Sequence, residues 1–306
     1  MANIYGKAYF RDRVVPVKEA NLSVASSSVL YGLSVYTVFP VTVNEGIPFA
    51  FRLRDHYARL VNSSRIIGLD TFEPDWTYER FLGAVSETVR ANGIDKRVFV
   101  RATVHVDELL PGTRSRGLST AFSMFLYEAA PILPEQGVRL KTSLWRRIPD
   151  YAIPSRAKVN GAYVNSVLAK QDALDAGYDD CIFLDTAGHV CELSAANIFM
   201  VRNGTLCTPD TGGDLLEGIN RAVVIRAATE MGIPVAERMI DLTELYVADE
   251  VFASGTSAHI ASVGEVDARR IGDSGVGPVT ARIQSYYRDL FRNPEQGVAA
   301  GDFTRL

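Results

Sequence analysis

In Pro154-Ser155-Arg156-Ala157-Lys158-Val159-Asn160-Gly161-Ala162-Tyr163 a lysine stands just before a helix that holds a tyrosine five positions later. Alone, such a lysine reads as a solvated residue at a helix start, because lysine is almost never fully buried. Its company along the chain changes that reading. Thirty-four residues on, Val190-Cys191-Glu192-Leu193-Ser194-Ala195-Ala196-Asn197-Ile198-Phe199 sets a carboxylate among small and apolar residues, immediately before a strand. A carboxylate there is expensive to bury without a partner, and a protonated pyridine nitrogen would be a suitable one. Further on, Leu215-Leu216-Glu217-Gly218-Ile219-Asn220-Arg221 opens a helix, and Ser254-Gly255-Thr256-Ser257 follows the apolar strand Glu250 to Ala253. Both segments offer backbone N–H groups of the kind that hold a phosphate. Taken separately, each is a common cap or turn.

The chain around these segments has 306 residues, enough for two domains. Hydrophobic residues at 47% and charged residues at 22% match an ordinary globular protein rather than a disordered or fibrous one. A net charge of -4 with interspersed signs leaves no electrostatic footprint for nucleic acid or an anionic membrane surface. The three cysteines, Cys181, Cys191 and Cys207, form neither a disulfide framework nor a metal-ligand repeat, which predicts buried, reduced thiols. His56, His105, His189 and His259 lack metal-ligand spacing and read as structural or surface residues, so no metal is expected. The sequence begins MANIYGKAYF, without a basic stretch leading into an apolar run, and a cytoplasmic location is expected.

Residues 1–128 read as a small N-terminal α+β domain. Short apolar runs at Val35 to Val43 and Val98 to Val104 alternate with two amphipathic helices, Phe51 to Leu69 and Trp76 to Ala91. Two prolines and a glycine mark residues 129–137 as the interdomain linker. Residues 138–306 then form the larger C-terminal domain, with helices near Gly161 to Ala176 and Ile219 to Met231 and a hairpin turning at Asn203-Gly204. The stretch Arg292 to Leu306 reads as a loosely held polar tail.

In this order the segments resemble the class IV (fold-type IV) aminotransferases, the group of branched-chain and D-amino-acid aminotransferases, (R)-amine transaminases and aminodeoxychorismate lyase. The resemblance runs from Tyr31-Gly32 to Gly277-Pro278-Val279-Thr280. Its specific pieces are Lys158 with Tyr163, Glu192 with Asn197, Gly218-Ile219 with Arg221, and Ala248-Asp249-Glu250-Val251-Phe252. It implies a two-domain α+β/α/β fold of the D-amino-acid aminotransferase type, pyridoxal 5′-phosphate as cofactor, and a homodimer or higher homo-oligomer. Carried over, Lys158 is the Schiff-base lysine and general acid/base, Glu192 the partner of the ring nitrogen and Tyr163 the donor to the ring 3-oxygen. Arg59, Ile219, Asn220, Thr256 and Ser257 hold the phosphate. The family usually has threonine where this chain has Asn220 and proline where it has Glu217.

The substrate side of the resemblance divides. Branched-chain enzymes read Tyr-Gly-x-Ser-Val-Phe-Glu-Gly-Ile-Arg, whereas this chain reads Tyr31-Gly32-Leu33-Ser34-Val35-Tyr36-Thr37-Val38-Phe39-Pro40, whose second half is closer to (R)-amine transaminases. Arg101 matches an arginine that branched-chain enzymes use for the acidic co-substrate, with Phe99 in place of their tyrosine. Arg114 and Arg116, in the loop Leu109 to Gly117, are further candidates for a keto-acid carboxylate, since arginine forms a bidentate fork. Tyr31 and Tyr36 are expected to line the pocket, Tyr31 from a neighbouring subunit. The leading expectation is transamination between a branched-chain or other hydrophobic amino acid or amine and a 2-keto acid. The alternatives are an (R)-selective amine:pyruvate transaminase, a D-amino-acid transaminase and an aminodeoxychorismate-type lyase.

Overall fold

The computed structural model describes residues 3–306. It divides into two compact units, neither of them continuous in sequence. The first comprises the chain through Ala130, the six residues Ala157–Ala162 and the C-terminal Leu290–Leu306; the second comprises Pro131–Arg156 and Tyr163–Asp289. The chain leaves the first unit within the expected 129–137 stretch. It then returns to that unit twice, which a boundary drawn from composition does not register.

The first unit contains β1 (Asn3–Phe10), β2 (Arg13–Pro16), α1 (Ser27–Tyr31), β3 (Ser34–Asn44), β4 (Ile47–Phe51), α2 (Leu53–Ile66), α3 (Phe72–Asp75), α4 (Tyr78–Asn92), β5 (Val98–Val106) and β6 (Thr120–Glu128). Its seven-stranded antiparallel sheet has the C-terminal strand Phe303–Arg305 at one edge, followed by β4, β3, β5, β6, β1 and β2. Alternation along the strands sends Val35, Phe39, Val41, Val98, Val100, Val104, Phe122, Met124 and Leu126 into one core. Helices α2 and α4 cover it with Leu53, Leu60, Phe81, Val85 and Val89. The opposite face carries Tyr36 and Val38 of β3, Phe99, Arg101 and Thr103 of β5, and Ser123, Phe125 and Tyr127 of β6, since residues paired across strands share a face.

The expectation of a loose tail over Arg292 to Leu306 is corrected. Phe303 is buried against Phe51 and Phe291, with ring centroids 5.1 and 5.3 Å away, and Asp302 pairs with Arg52 at 3.0 Å. These contacts pin the strand that closes one edge of the sheet.

The second unit contains β7 (Val138–Thr142), α5 (Tyr163–Asp175), β8 (Asp180–Leu184), β9 (Val190–Leu193), β10 (Asn197–Arg202), β11 (Thr205–Thr208), α6 (Ile219–Glu230), β12 (Val235–Glu237), α7 (Leu242–Leu245), β13 (Glu250–Gly255), β14 (His259–Val266), β15 (Arg269–Arg270) and α8, which starts at Pro278. Strands β10, β13, β14, β7, β8 and β9 follow one another around a ring, and the pair Asn197↔Glu192 closes it. Closure removes the sheet edges, while β11 and β12 extend outward from β10. The hairpin at Asn203-Gly204 forms as expected, with φ of 51° and 75° at the two turn residues. Glu250 is buried and structural: its carboxylate accepts from the N–H groups of Val279 and Thr280 (2.9 and 2.7 Å) and from the Thr280 hydroxyl (2.6 Å), capping the first turn of α8.

Candidate active site

Lys158 owes its place to an unfilled stretch of sheet edge. Strand β4 pairs with β3 only from Val41 onward, so the half of β3 before Pro40 has no β4 partner. Residues 158–160 take that edge: Tyr36 N–H donates to the Lys158 carbonyl (3.0 Å), Asn160 N–H donates to the Ser34 carbonyl (2.9 Å), and Val35 bridges Val159. Pro40, which has no N–H to donate, stands beyond the reach of this segment and just before β4 begins. The Ser63 hydroxyl accepts the Lys158 N–H at 3.1 Å. Ala157 and Val159 are buried in the core of the unit, so alternation turns Lys158 and Asn160 the other way. The segment can lie this close only because of two glycines. Gly32 has φ +66°, and a Cβ there would sit 2.9 Å from the Gly161 Cα.

Around the lysine the first unit assembles a cationic, aromatic cluster. Lys158 Nζ lies 4.9 Å from the centroid of the Tyr36 ring, and the Arg101 guanidinium carbon stacks on the same ring at 3.7 Å. Arg101 Nη2 donates to Asn160 Oδ1 at 2.5 Å. Among the described residues no carboxylate pairs with Arg101. Beneath β3, Arg59 Nη2 donates to the Thr37 hydroxyl (3.3 Å), which also bonds His56 Nδ1 (2.7 Å). Burial, then the nearby Arg59 and Lys158, hold the His56 imidazole well below its ordinary value, so this histidine is a neutral, buried partner of Thr37.

The remaining substrate candidates of this unit are spread more widely. Phe99 packs on Tyr127 (5.6 Å) across the same sheet face as Arg101, whereas Tyr31, at the end of α1, is half exposed. Arg114 and Arg116 lie exposed in the loop after β5, where no carboxylate among the described residues pairs with either.

In the second unit the separate sequence motifs meet at the barrel closure. Glu192 is 6% exposed; its Oε1 lies 2.9 Å from Arg147 Nε, and its Oε2 accepts from Asn197 Nδ2 (3.3 Å) and Leu216 N–H (3.2 Å). Arg147 supplies the counter-charge that makes burial of Glu192 tolerable. Asn197 Nδ2 also donates to the Leu216 carbonyl (2.9 Å), and a Cβ on Gly218 would meet Asn197 Oδ1 at 2.0 Å. The glycine at the N-cap of α6 is therefore required by the asparagine at the barrel closure. Ile219 and Asn220 begin that 12-residue helix, where the first N–H groups have no intrahelical acceptor. The Asn220 side chain donates to the Tyr287 hydroxyl at 3.1 Å. Thr256 and Ser257 form the half-buried turn between β13 and β14, and Tyr163 begins α5, also half-buried.

The first unit thus gathers Lys158, Tyr36, Arg101 and Asn160, with Arg59 beneath them; the second gathers Glu192, Asn197, Leu216 and Gly218. Sequence reasoning overlooked Arg147 and Asn160. Asn160 had a signal, since it lies two residues from Lys158 in an extended segment; Arg147, in an irregular loop, had none. The donor types present are a primary amine able to condense with an aldehyde, a buried carboxylate able to hold a ring N–H, and a glycine-capped helix start and Gly-Thr-Ser turn able to hold a phosphate. They fit pyridoxal phosphate. Among the described residues no cluster of His, Cys, Asp or Glu could hold a metal ion, and no helix is long and apolar enough to cross a membrane.

The sequence model of the family described as amino-transferase class IV matches residues 34–266. A probable branched-chain-amino-acid aminotransferase of Aquifex aeolicus is 36% identical over 293 residues, 94% of this chain and 93% of that protein. The crystal structure of a branched-chain aminotransferase from Thermoproteus uzoniensis with norvaline superposes with a TM-score of 0.91 at 35% identity, covering 98% of this chain and 99% of that one. The T.th. branched-chain amino acid aminotransferase complexed with N-(5′-phosphopyridoxyl)-L-glutamate gives a TM-score of 0.86 at 34% identity, with 98% of each chain covered.

Proposed function

The chain belongs to the class IV aminotransferases, and from that premise we propose that it moves the amino group of a branched-chain or other hydrophobic amino acid to a 2-keto acid. The cofactor is pyridoxal 5′-phosphate, which when bound supplies an aldehyde conjugated to a protonated pyridine ring, the chemistry that takes up an amino group and hands it on. Lys158 binds the aldehyde end and moves the proton at the substrate α-carbon through Nζ. Glu192 holds the proton at the ring nitrogen, and Tyr163 donates to the ring 3-oxygen. Arg59, the N–H groups of Ile219 and Asn220, and the turn at Thr256-Ser257 hold the phosphate.

The observation that carries the substrate reading is the make-up of the sheet face bearing Arg101. Tyr36, Val38, Phe99, Phe125 and Tyr127 make it mostly apolar, with Thr103 and Ser123 as its neutral polar members, and Arg101 adds one guanidinium that no carboxylate of the described residues neutralises. Such a face suits apolar side chains in one half-reaction and an acidic one in the other. The relatives solved with norvaline and with a glutamate adduct support both halves. Of the run Tyr36-Thr37-Val38-Phe39, only Tyr36 and Val38 belong to this face; Phe39 lies in the core and Thr37 bonds His56 and Arg59. The protein acts as a homodimer or larger homo-oligomer, supported by the exposed apolar side chains Val24, Val29, Leu30, Tyr31, Leu109 and Leu110.

Initial rates with L-leucine, D-alanine and (R)-1-phenylethylamine, each against 2-oxoglutarate and pyruvate, test the substrate reading. L-Leucine with 2-oxoglutarate is expected to be fastest. A higher rate with (R)-1-phenylethylamine and pyruvate would replace it with an (R)-amine transaminase, and pyruvate release from aminodeoxychorismate would replace it with a lyase.

A further inference from the structure

Asn160 is held at both ends. Its backbone N–H donates to the Ser34 carbonyl (2.9 Å) and its Nδ2 to the Ser34 hydroxyl (2.8 Å), while its Oδ1 faces Arg101 Nη2 at 2.5 Å. A guanidinium only donates, so the atom facing it must be the amide oxygen. Two Ser34 contacts therefore aim a single acceptor at Arg101, whose plane is already fixed by stacking 3.7 Å from the Tyr36 ring centroid. An unrestrained arginine has many rotamers to give up when it meets a ligand; one tethered at one nitrogen and stacked on an aromatic ring has few. Asn160 uses one of five donors and brings no charge, so the guanidinium keeps both its positive charge and donors for an incoming carboxylate.

We infer that Asn160 is a positioning residue for the acidic co-substrate, holding the Arg101 guanidinium ready for the distal carboxylate of a dicarboxylic 2-keto acid. This rests on the reading that Arg101 takes that carboxylate. Asn160 acts through the pair Arg101–Tyr36 and is selective for substrates that carry the second carboxylate.

The test is the ratio of KM for 2-oxoglutarate to KM for 4-methyl-2-oxopentanoate, measured on the cofactor-loaded enzyme. Asn160→Ala frees Arg101 and raises the ratio roughly three- to tenfold, the cost of immobilising one long side chain on binding. Asn160→Asp has nearly the same shape but gives Arg101 the counter-charge it lacks, so the ratio rises about tenfold or more. In an Arg101→Met background neither change moves the ratio further. A ratio unmoved or lowered by both Asn160 variants overturns the inference, as does a further rise in the Arg101→Met background. If Arg101→Met alone raises the ratio while the Asn160 variants do not, only the role of Asn160 falls. If Arg101→Met leaves it unchanged, the assignment of Arg101 falls as well.

Discussion

Replacing Arg147 by Met removes a guanidinium and keeps most of its volume. Arg147 Nε lies 2.9 Å from Glu192 Oε1, and the two side chains are only 11% and 8% exposed. Breaking a buried pair from one side costs about 3–5 kcal/mol, because the surviving charge is left uncompensated. Glu192 still accepts from Asn197 at 3.3 Å and from Leu216 N–H at 3.2 Å, and these partly stabilise the stranded carboxylate. The expected loss is therefore about 2–4 kcal/mol. It should appear locally, in β9, which carries Glu192, and in β10, which pairs with it there. By native-state hydrogen exchange, amides of β9 and β10 should exchange roughly 30- to 700-fold faster in Arg147→Met than in the parent. Removing both charges tests the cause. In Arg147→Met/Glu192→Leu the charge that lost its Arg147 counter-charge is gone, and most of the protection should return, since an apolar pair of similar volume often replaces a buried ion pair at little cost. An acceleration below about threefold in the single variant, or a double variant that exchanges as fast as the single one, would refute the reasoning.

Two further outcomes follow from the geometry. Lys158→Ala should yield protein without the visible absorbance of a covalently attached cofactor and without measurable transamination; turnover near the parental rate would falsify the role of Lys158. His105, bonded to Ser123 at 2.8 Å, is lowered from 6.5 to about 4, first by burial and then by Arg101. The unfolded chain takes up that proton as the pH falls below 6.5 and the folded chain only near 4, so stability should decline by about 2–3 kcal/mol across this window. In His105→Gln that part of the slope should vanish from urea unfolding measured at stepped pH, and an unchanged slope would show that another group titrates.

Where order is local, the sequence reports it. The helices containing Leu60 and Val85 were visible in a three-to-four residue period, and the Asn203-Gly204 turn in its composition, because backbone sterics and one-sided burial act within a few residues. Lys158, Glu192 and Gly218 were legible only through their order along the chain. The reason Gly218 must be glycine, the side-chain amide oxygen of Asn197, lies twenty-one residues away and shows only in three dimensions. Arg147 gave no sign because a loop has no period to betray which arginine turns inward. The tail was misread because one aromatic residue, Phe303, outweighs the polar residues around it once it finds Phe51 and Phe291. Composition averages over such a residue.

The first unit also carries a constraint on how the polypeptide reaches its native state. Its central strand near Val35 waits for Val159, and its edge strand near Phe49 waits for Arg305. Emerging from the ribosome, the nascent chain therefore holds unpaired strand borders until 124 further residues have been made after Val35 and 256 after Phe49. Pairings this remote are slow to form, and unpaired borders invite association with other chains. Protein made with Phe303 to Arg305 removed would keep one of those borders open permanently.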